Sequence, residues 1–202
     1  MSAIASSARL VALLRGINVG GNNKLPMAEL RSCLELAGYG DVKTYIQSGN
    51  IAFNAPEARV GPDAGVAAHA EQLTGLISKN FGLTVPVVIR TAEQIAAVIA
   101  DNPFPEAEAE PKFLLVYFCS EPFAADALTE FDHDKYQPDR LATVGGAGVA
   151  GPEVTRSEVY VAYSEGMSKS KLTNVVLDRT LQLSTTARNW NTVLKLHELA
   201  TG

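Results

Sequence analysis

VKTYIQSGNIAFN, residues 42–54, decides the fold. Apolar and polar residues alternate on both sides of Ser48-Gly49, so the stretch reads as two strands joined by a tight hairpin. Upstream, Met27, Leu30, Leu34 and Ala37 recur at helical spacing behind Pro26, and Gly38 is a stop signal. Before that helix come a loop, GINVGGNNK (16–24), and a short apolar run, RLVALLR (9–15), which reads as a buried strand. Downstream, APEARVGPDAG (55–65) is a loop, residues 66–81 form a helix ending near Gly82, and TVPVVIRT (84–91) is a strand. The order β-α-β-β-α-β is that of the split βαβ plait.

The second half opens on a helix, TAEQIAAVIAD (91–101), followed by the proline- and acid-rich NPFPEAEAEP (102–111), which marks a boundary. KFLLVYFCS (112–120) reads as a strand and PFAADALTEF (122–131) as a helix. DRLATV (139–144) and EVYVAYS (158–164) read as strands around the glycine-rich GGAGVAG, and residues 171–181 and 186–199 as helices. From Lys112 onward the order β-α-β-β-α repeats most of the first half, with no repeat in the sequence itself. The expectation is an α+β chain of two ferredoxin-like plait subdomains with antiparallel or mixed sheets, residues 1–91 and 92–202.

The 202 residues suffice for a sizeable core. The composition is 47% apolar and 19% charged, an ordinary globular balance, and the net charge of −5 argues against a generally basic nucleic-acid binder. The charge is uneven. Residues 1–24 carry Arg9, Arg15 and Lys24 and no acid, and residues 164–202 carry five bases against three acids. Residues 92–140 carry eleven acids against Lys112, Lys135 and Arg140. Cys33 and Cys119 lack metal-type spacing and read as core residues of a reducing compartment. LVALL is too short for a signal-peptide core and no run approaches a membrane span. The expected location is cytoplasmic.

Three stretches carry polar chemistry. MSKSK, residues 167–171, looks like the ATP-handling loop of class I aminoacyl-tRNA synthetases. Those enzymes also need a His-x-Gly-His motif near the first strand, and none of His69, His133 and His197 begins one. A loop with two lysines and two hydroxyls still suits phosphate, through mobile point charges and short donors. The bland alternative is a solvated Ser/Lys loop. RGINVGGNNK, residues 15–24, has glycines that let backbone N–H groups approach a ligand. It fails as a P-loop because Asn22 stands where lysine is required. Here the bland alternative is a flexible turn. In TTARNWNTVLK, residues 185–195, Arg188, Asn191 and Lys195 fall on one stripe when drawn on a helix, which an ordinary polar face would also give. Asp132-His133-Asp134 reads as a solvated acidic turn, no metal site is expected, and no nucleophile elbow or carboxylate pair assigns a reaction. No cofactor is indicated.

RGINVGGNNKLPMAELRSCLELAGYGDVKTYIQSGNIAF, together with TTARNWNTVLKL near the end, resembles the family called domain of unknown function 1697, small bacterial proteins. The resemblance implies an α+β fold of two plait-like parts and transfers no activity or catalytic residue.

The expected ligand is an anionic, phosphate-bearing small molecule such as a nucleotide, held where the three stretches converge between the subdomains. Arg15 and Arg188 would clamp the phosphate, Lys169 and Lys171 with Ser168 would close over it, and Asn18 and Lys24 belong to the glycine loop. Gln47, Ser48 and Asn50 would orient the ligand from the hairpin turn, with Asn191 and Lys195 on the last helix. The alternatives are a nucleic-acid binder using the same bases, and a non-catalytic module that meets a basic partner through its acidic middle.

Overall fold

The computed structural model describes residues 9–21, 23–56, 65–124, 126–143 and 155–202. Asn22, most of the 55–65 loop and the GGAGVAG segment lie outside them. The chain divides into two compact units: residues up to Ala96 together with Leu196–Gly202, and Ala97–Lys195.

The first unit contains β1 (Arg9–Leu14), α1 (Met27–Leu36), β2 (Gly40–Tyr45), β3 (Asn50–Asn54), α2 (Val66–Phe81) and β4 (Val87–Thr91). Its sheet has the order β2-β3-β1-β4 with every pairing antiparallel, which is the expected plait. Leu10, Ala12 and Leu14 of β1 and Ile51 and Phe53 of β3 pack with Leu30 and Leu34 of α1 and Leu73 and Ile77 of α2. Val11, Leu13, Ala52 and Val88, on the opposite face of this sheet, are buried as well. That two-sided burial is why β1 reads as a continuous apolar run rather than an alternation. The hairpin is joined by four turn residues, 46–49. Gly49 has φ 76°, and a Cβ there would stand 2.5 Å from Leu14 Cβ and 2.9 Å from Ile17 Cδ1. Only glycine fits this backbone conformation and this space.

The helix α3 (Ala92–Ala100) follows β4 directly, and the division between units falls inside it. Thr91 and Gln94 form a reciprocal cap at its start: Gln94 N–H donates to Thr91 Oγ1 and Thr91 N–H to Gln94 Oε1.

The second unit contains β5 (Leu114–Ala124), β6 (Arg140–Thr143), β7 (Thr155–Ala162), α4 (Asn174–Leu181), β8 (Thr185–Asn189) and the start of α5 (Trp190–Thr201). Its antiparallel order, β6-β7-β5-β8, matches the first sheet position for position. The sheets are therefore antiparallel rather than mixed. Leu115, Tyr117 and Cys119 pack with Val159, Val161, Leu172, Leu177 and Leu181.

Two expected elements are corrected. The helix expected at 122–131 is the end of β5 followed by turns. Pro122 does not start a helix, because the strand resumes after an irregularity and buries Phe123 opposite Arg156. Where the first unit has α1, the second has turns and one short 3-10 segment, Asp134–Tyr136, with Phe131 stacked on Tyr136 at 5.1 Å. The helix expected from residue 186 starts only at Trp190. Thr185 and Thr186 are buried β-branched residues on a strand paired with β5, and Asn189 Oδ1 caps the helix by accepting from Thr192 N–H and Oγ1–H.

Candidate functional site

The glycine loop and the hairpin turn of the first unit meet. Asn18, at φ 54°, donates from Nδ2 to the carbonyls of Leu25 (3.0 Å) and Gln47 (2.8 Å), and its Oδ1 accepts from Leu25 N–H. Asn50 is wholly buried and donates to Tyr45 O and Ser48 Oγ. Asn18, Ser48 and Asn50 thus brace the turn from within, a role the sequence reading did not give them. Arg15 is half-buried with its backbone N–H on Pro86 O, while Lys24 and the Gln47 side chain are exposed.

In the second unit the 164–171 loop is held at both ends. Tyr163 N–H donates to Phe113 O, and the Tyr163 hydroxyl donates to Leu172 O at 2.8 Å. Tyr117 hydrogen-bonds to Tyr163, and its hydroxyl lies 3.5 Å from Met167 Sδ. Burial keeps both phenols neutral: it pushes Tyr117 up to about 12 and raises Tyr163 further, the latter helped by its neighbour Tyr117. Gly166, at φ 91°, lies close to the Phe113 ring; a Cβ there would meet Phe113 Cε1 at 3.0 Å. Ser170 Oγ accepts from Leu172 N–H. At the near end, Ser164 donates from both N–H and Oγ to Asp139 Oδ1 at 2.8 and 3.0 Å.

These anchors leave a pocket of about 200 Å³ whose lining includes Lys135, Lys169, Lys171 and Ser170. Two carboxylates also line it. Asp139 is occupied by Ser164, and Glu165 stands 3.7 Å from Lys169 in an exposed pair. Three lysines thus line the pocket with two partly engaged acids, the Lys135 ammonium standing 5.4 Å from the centre of the Tyr136 ring. Ser168 is exposed beside them on the same loop.

Lys169 and Lys171 are therefore brought together, and Lys135 joins them. Lys135 stands in the acidic stretch DHDK, where nothing in the sequence marks it. Arg188 requires correction. It lies on β8, not on a helix, and is 7% exposed, with Nη1 donating to Thr186 Oγ1 at 2.9 Å and to Ala187 O at 2.8 Å. Burial lowers its pKa to about 10. A guanidinium so enclosed braces the sheet and is no open clamp for a dissolved phosphate. The stripe with Asn191 and Lys195 is broken, since only those two stand on α5, Asn191 exposed and Lys195 half-buried.

Among the described residues, no group of three His, Cys, Asp or Glu side chains is placed to hold a metal ion. No described helix is long and apolar enough to cross a membrane.

A family described as a protein of unknown function, DUF1697, matches residues 8–147. The chain belongs to the DUF1697 family. The matched residues cover the first plait and the opening strands of the second; the 164–171 loop and TTARNWNTVLKL lie beyond them. Comparison with curated proteins gives no match. Among solved structures, the conserved bacterial protein SP0830 from Streptococcus pneumoniae is similar over 96% of this chain and 99% of its own, with 22% identity and a TM-score of 0.66. That likeness extends the α+β architecture of this DUF1697 chain to a second protein, and speaks for the fold alone.

Proposed function

We propose that this protein binds a small phosphate-bearing anion in the pocket of its second unit, between residues 135–139 and the 164–171 loop. The observation that carries the reading is the gathering of Lys135, Lys169 and Lys171 with Ser170 around one pocket. Lysine ammoniums serve phosphate as mobile point charges and the serine adds a short donor. The backbone beneath them is fixed by Tyr163, Gly166 and Ser164, so the ordering cost of binding falls on the lysine side chains rather than on the loop.

The test is a thermal-shift series with inorganic phosphate, pyrophosphate, ATP and a short single-stranded RNA, at low and moderate salt. A ligand at ~100 times its dissociation constant stabilises the fold by about 2.7 kcal/mol. For a chain of this size that is a rise of roughly 5–10 °C. The rise is expected with small phosphates and is expected to disappear in Lys169→Ala and Lys171→Ala. A rise with RNA alone that vanishes with salt would transfer the reading to nucleic acid. No rise with any compound rejects it.

A further inference from the structure

The anion pocket shares Pro138 and Ser164 with a second, larger cavity of about 540 Å³ in the same unit. The size of the first decides what the second is for. Sites for small organic ligands run to roughly 300–1,000 Å³, so a 200 Å³ pocket holds a phosphate group and little beyond it. The rest of an organic phosphate has to lie outside, and the adjoining cavity is the space next to it.

Its walls state what chemistry fits. Glu106, Glu110, Lys112, Phe113 and Arg140 line it with Pro138. Each carboxylate is already matched: Arg140 Nη2 stands 2.6 Å from Glu106 Oε1, and Lys112 Nζ stands 3.6 Å from Glu110 Oε2. The bases are held in turn by rings, Arg140 at 4.7 Å from the centre of Phe104 and Lys112 at 4.8 Å from that of Phe113. Glu106 titrates below the ordinary carboxylate range, through its own backbone N–H and then Arg140. An ionised carboxylate only accepts hydrogen bonds, and each has lone pairs left over after one cation. The two acids and two bases balance in charge, so the cavity suits an uncharged polar group, whose hydroxyl and amino donors find carboxylate acceptors there. Pro138, Ala162 and Phe113 give it an apolar wall suited to the face of a ring.

Building on the anion-site reading above, we infer that the ligand is a phosphate monoester of a ring bearing hydroxyl or amino donors. Its phosphate sits among Lys135, Lys169 and Lys171 and its ring lies between Glu106 and Glu110. A sugar phosphate and a nucleoside monophosphate share that chemistry.

Titration calorimetry on the full chain separates the parts, using inorganic phosphate, butyl phosphate, ribose 5-phosphate and AMP. Ribose 5-phosphate or AMP is expected to bind at least tenfold tighter than inorganic phosphate and butyl phosphate; AMP far above ribose 5-phosphate selects the nucleotide, and equality selects the sugar. Glu106→Ala with Glu110→Ala, both at exposed positions, is expected to erase the preference for the monoester over inorganic phosphate, each measured on the same variant. Butyl phosphate as tight as ribose 5-phosphate, or a monoester indifferent to the glutamate changes, overturns the inference and spares the anion site. Failure of every compound to bind overturns both.

Discussion

Tyr163 donates its only proton to Leu172 O, so the proton of Tyr117 is left for the Tyr163 oxygen. Each phenol is committed to its neutral form, and this fixes a pH dependence. Tyr117 has its pKa raised by burial to about 12, from an ordinary phenol value near ~10 in the unfolded chain. Its contribution is complete below the ordinary value and is lost as the pH climbs through about 12. Unfolding followed from pH 9 upward is expected to show phenolate absorbance from these two residues arriving with the unfolding transition and not before it. Because the chain has six tyrosines, the two are isolated by difference: phenolate absorbance of the folded protein that is lost in Tyr117→Phe or Tyr163→Phe would contradict the pairing. At this scale the sequence reveals residue types and conceals their surroundings. Lys169 and Lys171 stand two residues apart on one loop, so their placement at one pocket follows from their proximity in the sequence. Arg188 and Asn50 carry the same donors as exposed residues, yet both are buried by strand pairings that no single residue announces. Lys135 reaches the pocket only through the tertiary path of the chain.

Elements with one strong local signal were legible. The helix Val66–Phe81 ends at Gly82, which takes the left-handed cap conformation, and Met27, Leu30 and Leu34 are buried at helical spacing. The hairpin is legible too, but its turn is longer than the alternation suggests, and its geometry rests on Gly49. Gly49→Ala adds a Cβ against Leu14 and Ile17 at a positive φ. Overpacking and backbone strain together are expected to cost roughly 2–5 kcal/mol, read as a melting point lower by about 5–15 °C. An unchanged melting point would mean the hairpin can shift away. The strand Thr185–Asn189 is five residues long, too short to announce itself, and runs directly into a helix whose start is marked by the cap at Asn189. The far end of β5 is hard to see in the sequence, because Pro122 signals a helix start more strongly than Phe123 signals a strand.

For the molecule as a whole, the α+β architecture and the first plait were legible from element order; the second sheet repeats the topology of the first, but without the helix expected at 122–131 and with the unexpected β8. Nothing in the sequence marks the return of Leu196–Gly202 to the first unit. The join is specific: Arg9 donates to Leu199 O at 2.9 and 3.3 Å from two guanidinium nitrogens and pairs with Asp41 at 3.1 Å, while Leu196 and Ala200 are buried. Deleting residues 196–202 removes that acceptor and the apolar burial of two side chains. It is expected to destabilise the first unit by about 3–6 kcal/mol, measured as earlier denaturant unfolding and faster amide exchange along β1; unchanged exchange there would refute the join. The bond from Arg9 to Leu199 spans 190 residues of chain. At a ribosomal rate of about 5–20 residues per second, the first strand waits roughly 10–40 s before the last piece of its own unit is made. During that interval the nascent chain carries the first plait without its C-terminal segment while the second unit is being synthesised, so the unit that begins first is the one that finishes last.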